Sequence, residues 1–310
     1  MNELVAGGLV FSSNDEVMSR YDAHHLVRDG ALRRVLRGVF VDARVPDSRE
    51  LRVAAVEKVR PPAGVACGET AAWAMGVDVF APGRRHDFTP TFLVPHGTTR
   101  ITVPGVQCRQ AKLTVHDVTD AYGTITTTPV RTAGDLLRRQ YRPYALASAD
   151  QLVRTGLVDL ADLSDHVHRL KGYPGIRQAR ALVVLVDPRA ESAGESWTRL
   201  RLHDAGFPTP ELQVVVIDRD GVARRLDHAY VEQLVAVEFD GREHHTGALD
   251  AAHDHDRRGP LADQYGWRFV VARYATLFGP DNAFERQVGD LIGFTPIPRW
   301  WGTRAPQTRS

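Results

Sequence analysis

The chain has 310 residues, 43% hydrophobic and 25% charged, with a net charge of +1; this suits two or three packed units and excludes a protein that coats nucleic acid by bulk attraction. No run approaches the ~20 apolar residues of a membrane span, and Met1 to Ser13 lacks the basic flank of a signal peptide, so the expected compartment is the cytoplasm. Cys67 and Cys108 are too few for a disulfide framework or a zinc cluster and read as small buried residues.

From Asp15 to Arg37 the apolar positions Val17, Tyr21, Leu26, Val27, Leu32, Val35 and Leu36 suit short helices broken by a turn at Gly30, and a strand follows at 38–41. This outlines a winged helix-turn-helix over residues 1–45, with Arg33, Arg34 and Arg37 as candidate contacts to DNA phosphates. The same arginines equally suit a solvated face or the complement of a helix dipole.

Residues 46–186 read as an α+β scaffold with a helical connector. Helices are expected at Ser48 to Lys58 and Thr70 to Met75, then strands at 92–94, 101–103 and 124–127, then helices at 133–139, 144–154, 160–171 and 176–186. Asp187-Pro188-Arg189 marks a boundary, because proline disfavours a helical residue before it.

Residues 187–295 read as a helix from Gly194, strands at 213–217, 224–230 and 234–239, a helix at 254–265, a strand at 268–271 and a helix at 283–292, leaving 296–310 as a tail. The order αβββαβα places a mixed sheet between helices, so the fold class is multi-domain α/β. Asp227 falls on the middle strand, and Glu238 and Asp240 share a face of the next because strand side chains repeat every two residues. Three convergent carboxylates suit a magnesium or manganese ion, which would activate water for phosphodiester hydrolysis. The alternative is a charged, solvent-facing hairpin in which the acids pair with Arg224 and Arg225. The apolar run Val235-Ala236-Val237 before Glu238 favours the metal reading, since unpaired charge closing a central strand is expensive.

The ordered set Arg225-Leu226-Asp227-His228-Ala229-Tyr230, Val237-Glu238-Phe239-Asp240-Gly241, His244-His245, Arg257-Arg258 and Tyr265-Gly266-Trp267 resembles the endonuclease-like family related to very-short-patch-repair endonucleases, in the PD-(D/E)xK superfamily. The resemblance spans the last third of the chain and implies a restriction-endonuclease-like domain in which Asp227, Glu238 and Asp240 bind the catalytic metal and Glu195 assists. Glu195 also suits a plain favourable acid in a first helical turn. The parent motif carries lysine where this chain has Asp240, and no lysine follows Lys171. His244 or His245 as general acid or base, and Arg257 or Arg258 as a phosphate holder, are the candidate substitutes. His253-Asp254-His255-Asp256 reads as a polar helix face, since adjacent helical residues point apart.

Upstream, Gly38-Val39-Phe40, Thr70-Ala71-Ala72-Trp73-Ala74-Met75-Gly76 and Thr128-Pro129-Val130-Arg131-Thr132 with Asp135-Leu136 resemble the winged-helix antitoxins of the abortive-infection type across most of residues 1–185. That resemblance implies binding to promoter DNA and a toxin partner. Arg131 and Asp135 themselves read as a buried turn and ion pair. Two functions follow: a metal-dependent DNA endonuclease delivered by a winged helix, or a non-catalytic regulator or antitoxin whose nuclease-like domain only binds. Residues 189–291 hold 12 basic and 18 acidic side chains, a balance that suits a metal site more than general attraction to DNA.

Overall fold

The computed structural model describes residues 10–12, 20–82, 88–97, 104–241, 258–279 and 281–298. The chain divides into two compact units, residues 1–140 with 155–183 and residues 141–154 with 184–310. Among the described residues no helix is long and apolar enough to cross a membrane.

The first unit opens with β1 (Phe11–Ser12), α1 (Arg20–Arg28), β2 (Leu32–Leu36) and β3 (Val39–Asp42), the strands forming an antiparallel sheet in the order β1-β3-β2. A second helix was expected over residues 31–37, and the structure has a strand there instead. Gly38, at φ +79°, turns the chain so that Leu32 pairs with Asp42 and Arg34 with Phe40. The register shifts between Arg34 and Leu36. The adjacent Val35 and Leu36 are both fully buried, which regular alternation would forbid and which in sequence mimics helical spacing. Leu32 and Phe40 pack on Ala23 of α1.

Next come α2 (Arg49–Val59), capped by Ser48 Oγ accepting from Leu51 N, then β4 (Val65–Ala66) and α3 (Gly68–Ala74). β5 (Thr91–Pro95), β6 (Gln107–Ala111), β7 (Val118–Ala121) and β8 (Thr124–Thr127) join β4 in a mixed sheet of order β6-β5-β4-β8-β7. The expected strand at 101–103 lies outside the described residues. One core gathers Val56, Trp73, Phe88 and Phe92, and another gathers Val65, Cys67 and Leu93. The helices α4 (Pro129–Arg139), α6 (Leu160–Arg169) and α7 (Ile176–Val183) complete the unit. Proline at the first position of α4 costs no hydrogen bond, because that amide has no intrahelical partner. Arg131 on α4 donates to Asp135 at 2.9 Å and to Asp117 at 2.9 Å, so it is the buried ion pair its spacing suggests.

The second unit combines α5 (Arg142–Arg154) with α8 (Ala193–Asp204), β9 (Glu211–Ile217), β10 (Ala223–Tyr230), β11 (Val235–Phe239), α9 (258–265), β12 (Arg268–Ala272), α10 (Tyr274–Phe278) and α11 (Ala283–Ile292). The expected αβββαβα order is present, with the short α10 added. The sheet runs β12-β11-β10-β9, parallel between β11 and β12 and antiparallel elsewhere. The β9–β10 turn is set by Asp218, whose carboxylate accepts from Val222 N at 2.8 Å, Asp220 N at 3.0 Å and Arg224 Nε at 3.0 Å. These bonds hold its carboxyl below the usual range, the Val222 amide foremost. Leu226, Ala229, Ala236, Leu261 and Trp267 form one apolar cluster of this unit. Three arginine–carboxylate pairs tie its helices: Arg199 to Asp150, Arg201 to Glu285 and Arg142 to Asp204.

Candidate functional site

Helix α8 begins where Ser192 Oγ accepts from Glu195 N at 3.2 Å. The buried Glu195 carboxylate turns back, and its Oε2 accepts from Glu191 N at 2.8 Å and from Gln213 Nε2 of β9 at 2.8 Å. Gly194 lies against the Phe239 ring; a Cβ there would sit 2.0 Å from Cδ1, so only glycine lets α8 approach β11 this closely. Fully buried His228 on β10 completes the junction, with Nδ1 3.0 Å from Val237 O and Nε2 3.1 Å from Glu195 O. Burial pulls this imidazole down to about 4, so at neutral pH it is uncharged and has one N–H to share between two carbonyls.

The three expected acids lie on or just beyond the neighbouring strands β10 and β11, which run in register from His228 opposite Val237 to Tyr230 opposite Val235. Asp227 Oδ2 accepts from Phe239 N at 3.1 Å, so its side chain bonds the backbone of β11. Glu238, 2% exposed, accepts from Arg258 Nε of α9 at 2.7 Å. Asp240 follows β11, donates its amide to Ala272 O at 2.8 Å, and accepts from Arg273 Nε and Nη2 at 3.3 Å each. His244, His245 and Arg257 lie outside the described residues, as does the 253–256 cluster.

A divalent ion of the magnesium or manganese kind needs several oxygens free to turn toward one point. Among the described residues no three His, Cys, Asp or Glu side chains are grouped to hold one. Glu238 and Asp240 each turn an oxygen to an arginine and Asp227 bonds a backbone amide, so an ion held here would have to share these oxygens with those partners or displace them. Of the hairpin arginines, Arg224 pairs with Asp218 and Arg225 with Glu191. Arg273, Gln213 and His228 were not singled out from the sequence. His228 alone left a signal there, as a lone imidazole among Leu226, Ala229 and Tyr230.

In the first unit, Arg33 and Arg34 are neighbours on β2 and therefore point to opposite sides, so the three candidate arginines do not form one basic stripe. Arg33 donates twice to Val45 O, at 3.0 and 2.8 Å, and Arg34 is half-buried. Arg37 is exposed in the β2–β3 turn, its Nη1 3.4 Å from Thr89 Oγ1.

Residues 64–186, most of the first unit's sheet and helices, match the model of the AbiEi antitoxin C-terminal domain. The chain is also 33% identical over 259 residues to "Uncharacterized protein Rv2248" of Mycobacterium tuberculosis strain H37Rv, covering 82% of this chain and 89% of that one. "Uncharacterized protein MT2308" of the CDC 1551 strain gives the same figures. The crystal structure of RV2827C protein from Mycobacterium tuberculosis overlaps 69% of this chain and 82% of that chain, at a TM-score of 0.33 and 14% identity, too low to define a shared fold. With a third of its residues identical over most of both sequences, the chain belongs to the same family as these two mycobacterial proteins.

Proposed function

We propose that the protein is a cytoplasmic DNA-binding regulator of the antitoxin kind, acting with a toxin or another protein partner. The observation that carries this reading is the AbiEi antitoxin match across residues 64–186. The C-terminal acids are compatible with it: Glu238 is engaged by Arg258 and Asp240 by Arg273, so they serve as structural ties. In the small β2–β3 sheet, exposed Arg37 is the residue best presented to a phosphate, whereas Arg33 braces the loop at Val45. The test is repression: a reporter driven by the DNA upstream of the protein's own coding sequence should be silenced by the wild type and partly released by Arg37→Ala. Equal reporter output with and without the protein would contradict the proposal.

A second reading, a metal-dependent endonuclease, is favoured by one observation: Glu195 starts a helix packed against the strands that carry Asp227 and Glu238. In it Asp227, Glu238 and Asp240, with Glu195 beside them, would hold magnesium or manganese, which supplies an activated water when bound. It requires Glu238 to exchange Arg258 for the ion.

A further inference from the structure

We infer that Arg109 and Arg139 of the first unit form an oxyanion site that takes a phosphate group. Val65, Leu93 and Arg109 are cross-strand neighbours on β4, β5 and β6, so the arginine stands on the sheet face that also carries Cys67. Its Nη2 lies 3.7 Å from Cys67 Sγ, and its Nε is buried with no hydrogen-bond partner among the described residues. Burial pushes the Cys67 thiol up to about 11, so the sulfur is uncharged at neutral pH and does not cancel the guanidinium.

The turn of α4 that carries Arg139 packs on the same part of the unit. Leu136 Cδ2 is 3.9 Å from where a Cβ on Gly68 would lie, and Gln140 Nε2 donates to Glu69 Oε1 at 3.0 Å. Arg139, between Leu136 and Gln140, therefore belongs to the turn of α4 that packs on the start of α3, the helix that Cys67 caps. Arg139 is exposed at the surface, and its charged form is disfavoured first by partial desolvation and then by the like charges of Arg109 and Arg138. Asp135 acts the other way, but its two oxygens are bonded by Arg131 and Arg138. Among the described residues neither Arg109 nor Arg139 has a carboxylate partner within salt-bridge distance. Two neighbouring guanidiniums without a counter-ion repel, and a phosphate, with several oxygens and up to two charges, can accept from both forks.

The phosphate has two possible sources, a DNA backbone or a free phosphate, and only the first rests on the proposed function. The test uses the full chain, Arg109→Gln and Arg139→Gln; exposed Arg139 keeps it readable if Arg109→Gln folds poorly. Melting is followed with inorganic phosphate and with pyrophosphate against chloride at matched ionic strength, and duplex DNA affinity is followed against salt. The wild type should gain melting temperature from phosphate, both variants should lose that gain, and Arg139→Gln should melt no lower than wild type without phosphate. If each variant also lowers the slope of log affinity against log salt by about one, the phosphate is DNA's; an unchanged slope assigns the site to free phosphate. A wild type indifferent to phosphate with unchanged DNA slopes in the variants, or variants that respond like wild type, would overturn the site. Failure of the wild type to bind DNA would sink the regulator reading and leave the phosphate arm to judge the site alone.

Discussion

Arg258 Nε donates to Glu238 Oε2 at 2.7 Å, joining α9 to the buried end of the central strand β11. Removing one partner of a buried ion pair leaves the other's charge less compensated, so Arg258→Ala should cost about 3 kcal/mol of unfolding free energy. Adding Glu238→Gln should recover part of that loss, because the under-compensated charge goes too. Urea unfolding of the two single variants and the double variant measures the coupling, and strict additivity would mean the pair contributes nothing to the fold.

His228 makes stability depend on pH. Its folded value is about 4, below the ordinary 6.5, so its contribution is complete above pH 6.5. As pH falls from 6.5 toward about 4 the unfolded chain takes up a proton that the folded chain refuses. Stability should then drop by about 1.4 kcal/mol per pH unit from this group. His228→Gln should lower stability at pH 7 and flatten that part of the curve; an unchanged slope in the variant would assign the acid sensitivity to other groups.

Gly194→Ala should destabilise the second unit by about 1–3 kcal/mol, because the new methyl meets the Phe239 ring and one of them must shift. Thermal melting reads this directly, and a variant as stable as wild type would mean that α8 and β11 can move apart freely.

Arg33 and Arg37 should separate in function. Arg33→Ala loses two hydrogen bonds to Val45 O and should lower stability by about 1–2 kcal/mol. Arg37→Ala should leave the melting temperature nearly unchanged and lower the salt slope of DNA binding by about one. Equal effects of both variants on stability and on DNA would contradict the distinction.

Much of the second unit was legible in the sequence, because an apolar strand such as Val235 to Phe239 and a helix such as Ala283 to Ile292 announce themselves by period. β2 was not, since its bulge buries the adjacent Val35 and Leu36 and imitates a helical face. β4, with two residues, is too short to show any period. The acids were found at strand ends by alternation, but their partners were not. Arg258 and Arg273 belong to other parts of the chain, and only packing brings them to Glu238 and Asp240. The same limit hid Cys67, Arg109 and Arg139, which come from α3's cap, β6 and α4.

The central claim, that this chain binds DNA without cutting it, is tested most directly by following binding and strand cleavage together on duplex, mismatched and single-stranded DNA, with magnesium, with manganese and with neither. The account predicts salt-dependent binding to duplex and intact strands in every condition, unaltered by Glu238→Ala wherever that variant remains folded. Metal-dependent cleavage by the wild type, lost in folded Glu238→Ala and Asp240→Ala, would contradict it and establish the acids as a hydrolytic centre.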